Sequence, residues 1–303
     1  MKNNVSKLIG KTPIIRLFEI EKYFGIAAEL YAKLEMYNPS GSVKDRAAFF
    51  MIKDAADRGL ISDKTTVIEP TSGNMGISLS MLSSVFGYRS VIVMPSNMTR
   101  ERAKMIREYG GEVIFTDGAM GMSGSVERAK ELLSENKNGF MPSQFTNTQN
   151  LMAHYYTTGP EIYFDMNGRV DFLIAGVGSG GTVSGAGRFL KEKAASVKII
   201  ATEPRESAVL SGNRAGSHGI FGIGAGFIPS IFDADAVDEI ITVSTDEAKE
   251  CKKILGLKEG LLVGYSSGAA LCSGIKIAKE KENKGKRTVM IFPDGGEKYL
   301  SVN

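Results

Sequence analysis

One lysine of this chain occupies a position that favours the uncharged form of its amine. Lys44 follows the turn Pro39-Ser40-Gly41, and the apolar spacing after it predicts a helix whose first turn contains Lys44. A helix dipole disfavours positive charge at that end, so a neutral amine suits the position. A neutral lysine amine is a nucleophile, and its commonest chemistry is a Schiff base with a carbonyl substrate or with pyridoxal phosphate (PLP). An isolated lysine is more often an ordinary residue that extends to water, so the interpretation depends on the rest of the chain.

A glycine-rich loop at residues 176–182 is the second chemical feature. It lies between a predicted strand and a predicted helix, where backbone N–H groups and the helix dipole bind phosphate. The G-x-G-x-x-G spacing at 176–181, with Glu203 after the next strand, also matches a dinucleotide fingerprint, so an NAD-dependent oxidoreductase is an alternative. The extra Gly180 and the hydroxyls of Ser179 and Thr182 favour a single monophosphate. A tight turn that binds no ligand is the third interpretation.

Short apolar runs alternate with helical patterns along most of the chain. The predicted strands are 30–35, 66–69, 90–95, 112–115, 170–175, 198–202, 239–243 and 288–292. The predicted helices are 44–57, 77–86, a basic helix capped by Thr99 that runs to Tyr109, 123–135 and one that ends at Lys193. This alternation predicts an α/β fold with parallel sheets and crossover helices, and its two blocks predict two sheets.

Composition excludes several classes of protein. A length of 303 residues allows two domains, and a net charge of +3 spread along the chain indicates neither nucleic acid nor membrane as a partner. Cys251 and Cys272 are too far apart for a metal motif, and His154 and His218 cannot form a metal site by themselves, so we expect no metal. The N-terminus lacks the apolar core of a signal peptide, so we expect a cytoplasmic protein with buried or incidental thiols.

Five segments in a fixed order carry a resemblance to a known family. They are GSVKDR (41–46), TSGN (71–74), GSGGT (178–182), GIGAGF (222–227) and GYSSGAA (264–270). With these segments the chain resembles the cysteine synthase and cystathionine β-synthase group of fold type II PLP enzymes, from residues 9–13 to residues 293–300. The resemblance implies two domains, each a mainly parallel twisted sheet flanked by helices. A large PLP-phosphate-binding domain would comprise 1–40 and 146–303, and a smaller mobile domain, 41–145, would carry the Asn loop at 71–74.

The resemblance also implies a role for each site residue. Lys44 would carry the PLP Schiff base and move the proton at the substrate Cα, Asn74 would hydrogen-bond the ring hydroxyl, and Ser266 would face the pyridine nitrogen. The implied cofactor-binding residues are Lys44, Asn74, Gly178, Ser179, Gly180, Gly181, Thr182 and Ser266. The implied substrate-binding residues are Thr71, Ser72, Met75, Gln144 and Gly222. A neutral serine beside the ring nitrogen weakens electron withdrawal into the ring, which favours elimination from Cβ over transamination.

The implied reaction is β-replacement through an α-aminoacrylate, with O-acetyl-L-serine and sulfide giving L-cysteine and acetate. An alternative is release of hydrogen sulfide from L-cysteine, with L-serine or lanthionine as the other product. The alternatives from other classes are the NAD-dependent oxidoreductase and a catalytically silent binding homologue. The resemblance implies a homodimer, with serine acetyltransferase as a possible second partner.

The chain departs from the family pattern at two places. Met75 stands where the Asn loop usually has threonine, which removes a hydroxyl next to the substrate unless the methionine fills a core gap. Residues 147–150 read Asn-Thr-Gln-Asn where Asn-Pro-Ala-Asn is usual. His154 is expected to be structural, and His218 is expected to be a surface histidine.

Overall fold

The computed structural model describes residues 4–71, 73–97 and 99–302, and contains two sheets. The strands are β1 (Ile14–Arg16), β2 (Glu29–Leu34), β3 (Thr66–Pro70), β4 (Arg89–Pro95), β5 (Glu112–Thr116), β6 (Gly139–Phe140), β7 (Phe172–Gly176), β8 (Lys198–Pro204), β9 (Glu239–Val243) and β10 (Arg287–Phe292). A six-stranded sheet has the order β1-β2-β10-β7-β8-β9, and a four-stranded sheet has the order β5-β4-β3-β6. Every pair is parallel except β1 with β2. The α/β fold and its two parallel-rich sheets are therefore confirmed.

Helices connect the strands and cover both faces of each sheet. They are α1 (Phe18–Phe24), α2 (Lys44–Asp57), α3 (Asn74–Phe86), α4 (Arg100–Glu108), α5 (Gly121–Glu135), α6 (Gln149–Ala153), α7 (Gly159–Asp165), α8 (Gly181–Lys193), α9 (Thr245–Glu259) and α10 (Tyr265–Ala278). A π-helical turn, His154–Thr158, joins α6 to α7. None of these helices in the described part of the chain has the length and apolar character needed to cross a membrane.

The apolar residues form a core on each face of each sheet. On the four-stranded sheet, side chains of α2, α3 and α4 pack on one face and those of α5 on the other. On the six-stranded sheet, α9 and α10 cover one face, while α7 and α8 cover the other. Burial on both faces explains why the strands read as continuous apolar runs.

The sequence patterns missed some elements and misjudged one cap. Seven elements have no counterpart among the predicted ones: β1, β6, α1, α6, α7, α9 and α10. β7 begins at Phe172, two residues later than predicted. Thr99 occupies the N-cap position of α4 but makes no capping hydrogen bond, because its hydroxyl accepts a bond from Arg102 instead. The four-stranded sheet lies within residues 66–140, yet the division into a large and a mobile small domain stays a prediction.

A buried ionic cluster ties the start of α2 to the six-stranded sheet. Arg46 donates to both carboxylate oxygens of Glu35, after β2, at 2.8 Å, and to both oxygens of Glu161, in α7, at 2.7 Å. The side chains of Arg46 and Glu35 are fully buried. Because Arg46 lies two residues after Lys44, this cluster fixes the helical turn on which Lys44 stands.

Arg46→Met should lower the free energy of unfolding by about 3–5 kcal/mol, since it leaves the buried Glu35 carboxylate without its partner. Arg58→Met is the matched control, because Arg58 is exposed and pairs with Asp54 across one helical turn of α2. The control should change stability by no more than about 0.5 kcal/mol. Urea unfolding measures both variants, and equal losses would contradict the structural role of the cluster.

Candidate active site

Lys44 is the first residue of α2, as the sequence pattern predicts. The turn before it is held against the end of β10: Val43 donates its N–H to the carbonyl of Pro293 at 2.9 Å, and Ser42 pairs with Asp294. The backbone N–H of Lys44 itself contacts the Ser42 hydroxyl at 3.3 Å. The amine is thus carried on a turn whose backbone is fixed from both sides.

Lys44, which is partly buried, differs from the two fully buried lysines, Lys33 and Lys298. Lys33 donates to the carbonyl of Thr12 and contacts two carboxylates, and Lys298 donates to three oxygen atoms. The Lys44 amine forms no hydrogen bond or ion pair with any residue that the structure describes. Although part of its side chain stays accessible, burial lowers the pKa of Lys44 to about 8, against the opposing effect of the Asp294 carboxylate. A substantial neutral fraction near neutral pH is what a nucleophilic lysine requires.

The Asn loop lies between the end of β3 and the start of α3. Thr71 is buried and accepts a hydrogen bond from the N–H of Gly73 at 3.2 Å, while Asn74 opens α3. The amide of Asn74 donates to Asp294 at 2.7 Å. Since Asp294 also pairs with the turn before Lys44, the structure brings Asn74 and Lys44 to one place. Ser72, the remaining predicted residue of this loop, lies outside the described residues.

The loop 176–182 has the geometry of a phosphate cradle. α8 begins at Gly181, and Gly180 adopts φ +86°, a left-handed conformation that favours glycine. Within the described residues, no backbone N–H from 178 to 182 donates to a protein acceptor. Free donors at the start of a long helix fit a phosphate group, as the sequence pattern predicts.

Two further predicted residues adjoin this loop. A Cβ added at Gly178 would lie 2.3 Å from the carbonyl oxygen of Gly222, so the two glycines are in backbone contact. A Cβ at Gly222 would lie 4.0 Å from the hydroxyl of Ser266, in the first turn of α10. The phosphate loop, Gly222 and Ser266 therefore lie next to one another.

Gln144 is held by two residues that the sequence analysis did not single out. Its N–H donates to Glu69 at 3.0 Å, and its carbonyl accepts a hydrogen bond of 2.7 Å from Asn150, which also donates to Ser179. Burial raises the pKa of Glu69 to about 7, while its bonds from the backbone of Gln144 and Ser143 oppose that rise. Asn150 thereby connects the predicted substrate residue Gln144 to the predicted phosphate loop.

Three other residues considered in the sequence are partly or fully buried: Met75, His154 and His218. Met75 is 1% exposed and belongs to the apolar core between α3 and the four-stranded sheet, so its role in substrate binding stays a prediction. His154 is buried between the hydroxyls of Thr158 and Thr182, and burial lowers its pKa to about 3, which keeps it neutral. His218, expected at the surface, is partly buried, and its Nε2 is hydrogen-bonded to the carbonyl of Gly224.

Glu203 does not present its carboxylate to a ribose, as the dinucleotide interpretation would require. It is 1% exposed, and its oxygens accept the N–H groups of Leu210 and Ser211 and the Ser211 hydroxyl. Both carboxylate oxygens are therefore engaged by one surface loop. The described residues also contain no cluster of three or more side chains suited to a metal ion.

The geometry fits PLP. A lysine amine without a partner, an amide beside it and a glycine loop with free N–H groups match the aldehyde, ring hydroxyl and phosphate of that cofactor. Residues 5–294 match the family described as pyridoxal-phosphate dependent enzyme, and the chain belongs to that family.

Individual relatives show which members of this family the chain is similar to in sequence and structure. The chain is 43% identical over 301 residues to a cysteine synthase of Staphylococcus aureus. The alignment covers 99% of this chain and 96% of the relative. A crystal structure of cysteine synthase from Entamoeba histolytica superposes with a TM-score of 0.96 at 43% identity, covering 100% of this chain and 90% of the other. A hydrogen sulfide-producing enzyme from Fusobacterium nucleatum gives a TM-score of 0.95 at 43% identity, with 99% and 100% covered. Within the family, the chain is thus a cysteine synthase-like member.

Gly181→Ala should weaken PLP binding about tenfold or more, since the added Cβ would lie 2.3 Å from Asn150 Oδ1 and displace a residue that holds the phosphate loop. Gly256→Ala, inside α9, is the matched control, because its nearest contact would be 3.9 Å away. PLP retention after dialysis, followed by absorbance, measures both. Full retention in Gly181→Ala would contradict the phosphate-loop assignment.

Proposed function

We propose that PLP binds where the two sheets meet, with its aldehyde at Lys44, its phosphate on residues 178–182, its ring hydroxyl at Asn74 and its ring nitrogen at Ser266. The observation that carries this proposal is the buried Lys44 amine, which has no protein partner in the described residues and a pKa lowered to about 8. When bound, PLP supplies the electron sink for bond cleavage at the substrate Cα. The protein contributes donors for its phosphate and a lysine that moves the Cα proton.

The proposed reaction is conversion of O-acetyl-L-serine and sulfide to L-cysteine and acetate. Lys44 removes the Cα proton, acetate leaves Cβ with its bonding electrons, sulfide adds to Cβ, and Lys44 returns the proton to Cα. Thr71, Ser72 and Gln144 hold the substrate carboxylate, with Gly222 beside it. The cysteine synthases among the relatives support this assignment.

A second candidate is release of hydrogen sulfide from L-cysteine, followed by addition of water or a second cysteine to give L-serine or lanthionine. Its support is the hydrogen sulfide-producing relative, which is 43% identical to this chain. The chemistry at Cα is the same as for O-acetylserine, and only the group that leaves Cβ and the nucleophile differ. Two observations argue against an NAD-dependent oxidoreductase. The Glu203 carboxylate is hydrogen-bonded to the backbone of residues 210 and 211, and the chain matches the pyridoxal-phosphate dependent family.

Three further elements of the proposal follow from the resemblance. The chain forms a homodimer, serine acetyltransferase is a candidate second partner, and the segment 41–145 closes over the bound substrate through the Asn loop. Closure would bring the donors of this loop to the substrate carboxylate at the start of α3.

Amino-acid analysis of the products tests the reaction. PLP-loaded protein should form L-cysteine from O-acetyl-L-serine and sulfide, and should release sulfide more slowly from L-cysteine alone. Lys44→Ala should lower both rates by at least about a thousandfold, because one amine holds the cofactor and moves the proton. Absence of both reactions in PLP-loaded wild-type protein would leave the silent binding homologue as the correct alternative.

Met75→Thr should raise the ratio of cysteine synthesis to cysteine breakdown by at most about tenfold, since it restores one hydroxyl worth about 0.5–1.5 kcal/mol. Because Met75 lies in the core, Met75→Leu is the control that keeps an apolar side chain without adding a donor. Both variants are compared at equal PLP loading. A ratio that does not move, or that moves equally in both variants, would place the specificity elsewhere, within 216–227.

A further inference from the structure

Asp294 has no role in the site as proposed so far, yet it contacts three parts of it. It follows β10 and is 1% exposed. Its backbone pairs with Ser42, before Lys44, and its carbonyl accepts the N–H of Gly264, the N-cap of α10, at 3.0 Å. Its side chain accepts a hydrogen bond from Asn74. One buried residue thus joins the Lys44 turn and the helix of Ser266 through its backbone, and the Asn loop through its carboxylate.

The neighbours of Asn74 allow its amide only one orientation. Its Nδ2 donates to Asp294 Oδ2 at 2.7 Å, and its Oδ1 accepts from Lys298 Nζ at 3.2 Å. A carboxylate only accepts and an ammonium only donates, so the reversed amide would meet both with the wrong group. The other two Lys298 bonds go to the carbonyls of Ser40 and Gly41. The second N–H of Asn74 Nδ2 then remains for another acceptor.

The two oxygens of Asp294 are used unequally. Oδ2 accepts from Asn74 and also from the hydroxyl of Tyr299 at 2.6 Å. Oδ1 is buried and has no hydrogen-bond partner among the described residues. A Cβ at Gly264 would lie 2.0 Å from Oδ1, so the glycine is needed for the carboxylate to occupy this position.

Asp294 lies beside the turn that carries Lys44, because its backbone pairs with Ser42 and the N–H of Val43 donates to the carbonyl of the preceding Pro293. Burial lowers the pKa of Lys44, and the Asp294 carboxylate is the group that opposes this effect. Six other ionisable side chains around this turn have hydrogen-bond partners or cation–π contacts of their own: Asp45, Arg46, Arg102, His154, Lys298 and Tyr299. Glu297 also lies beside the turn, since a Cβ at Gly41 would be 3.7 Å from its Oε1.

We propose that Asp294 is a positioning residue, which with Lys298 holds the Asn74 amide so that one N–H is left for the cofactor's ring hydroxyl, and whose charge stabilises the Lys44 ammonium. The part that concerns Asn74 rests on the proposed function. The part that concerns Lys44 applies to the protein without cofactor, so the two can fail separately.

The first experiment measures the pH profile of Lys44 in cofactor-free protein. Trinitrobenzenesulfonate reacts with the neutral amine, and the labelled Lys44 peptide is quantified by mass spectrometry. Asp294→Asn should raise the labelling rate at pH 7 about threefold to tenfold, because loss of a nearby negative charge favours the neutral amine. Tyr299→Phe, which removes the other donor to Oδ2 and keeps the charge, should leave the profile within about twofold of wild type.

A wild-type profile in Asp294→Asn would overturn the Lys44 part of the proposal. If Asp294→Asn does not fold, as judged by circular dichroism, Asp294→Ser removes the same charge with a smaller side chain and takes its place. An equal rise in labelling of Lys33, which lies in a different ionic cluster, would show general loosening and would also overturn it.

The second experiment is a double-mutant cycle on PLP affinity with Asn74→Ala, Asp294→Asn and the double variant. The affinities are measured well above the pKa of Lys44, where this amine is neutral with or without Asp294. If Asp294 acts through Asn74, the double variant should then bind PLP within about twofold of Asn74→Ala alone. Additive losses would overturn the positioning role. Failure of the wild-type protein to bind PLP would overturn the proposed function and the Asn74 part with it, while the labelling result would still decide the Lys44 part.

Discussion

The site depends on a partly buried lysine amine that has no hydrogen-bond or ion-pair partner among the residues that the structure describes. Lys33 and Lys298 show the usual solution for a buried lysine, in which each ammonium is satisfied by several oxygens. Burial lowers the pKa of Lys44 to about 8, although the charge of Asp294 opposes this change. An amine in this condition is costly to the fold and useful to chemistry.

Hydrogen bonds and ion pairs fix the elements around Lys44. The fork of Arg46 holds α2 to Glu35 and Glu161, and the backbone before Lys44 is bonded to the end of β10. Glu69 and Asn150 fix the backbone of Gln144, a predicted substrate-binding residue, without using its side-chain amide. Most buried polar groups around the site thus satisfy one another, with Asn150 Oδ1 and Asp294 Oδ1 as exceptions. The Lys44 amine and the N–H groups of residues 178–182 stay without protein partners in the described chain.

Sequence patterns predicted the parts of this arrangement that are local in the chain. The position of Lys44 at the start of α2 and the glycine loop at the start of α8 follow from turn residues and apolar spacing. Such patterns could not predict contacts between segments that are distant in the chain. Asn74 and Asp294 are 220 residues apart, and Gln144 and Glu69 are 75 apart. Short elements such as β6, with two residues, carry too little periodicity to be recognised. Glu203 shows the reverse error, because its spacing suggested a ligand and its carboxylate binds a protein loop.

The central claim is that Lys44, alone among the lysines, condenses with PLP. Reduction of PLP-incubated protein with borohydride, followed by digestion and mass spectrometry, tests it most directly. The account predicts one pyridoxyl group per chain, on the peptide that contains Lys44, with Lys33 and Lys298 unmodified because their ammonium groups are occupied. A pyridoxyl group on another lysine at equal or higher yield, or none at all, would contradict the account.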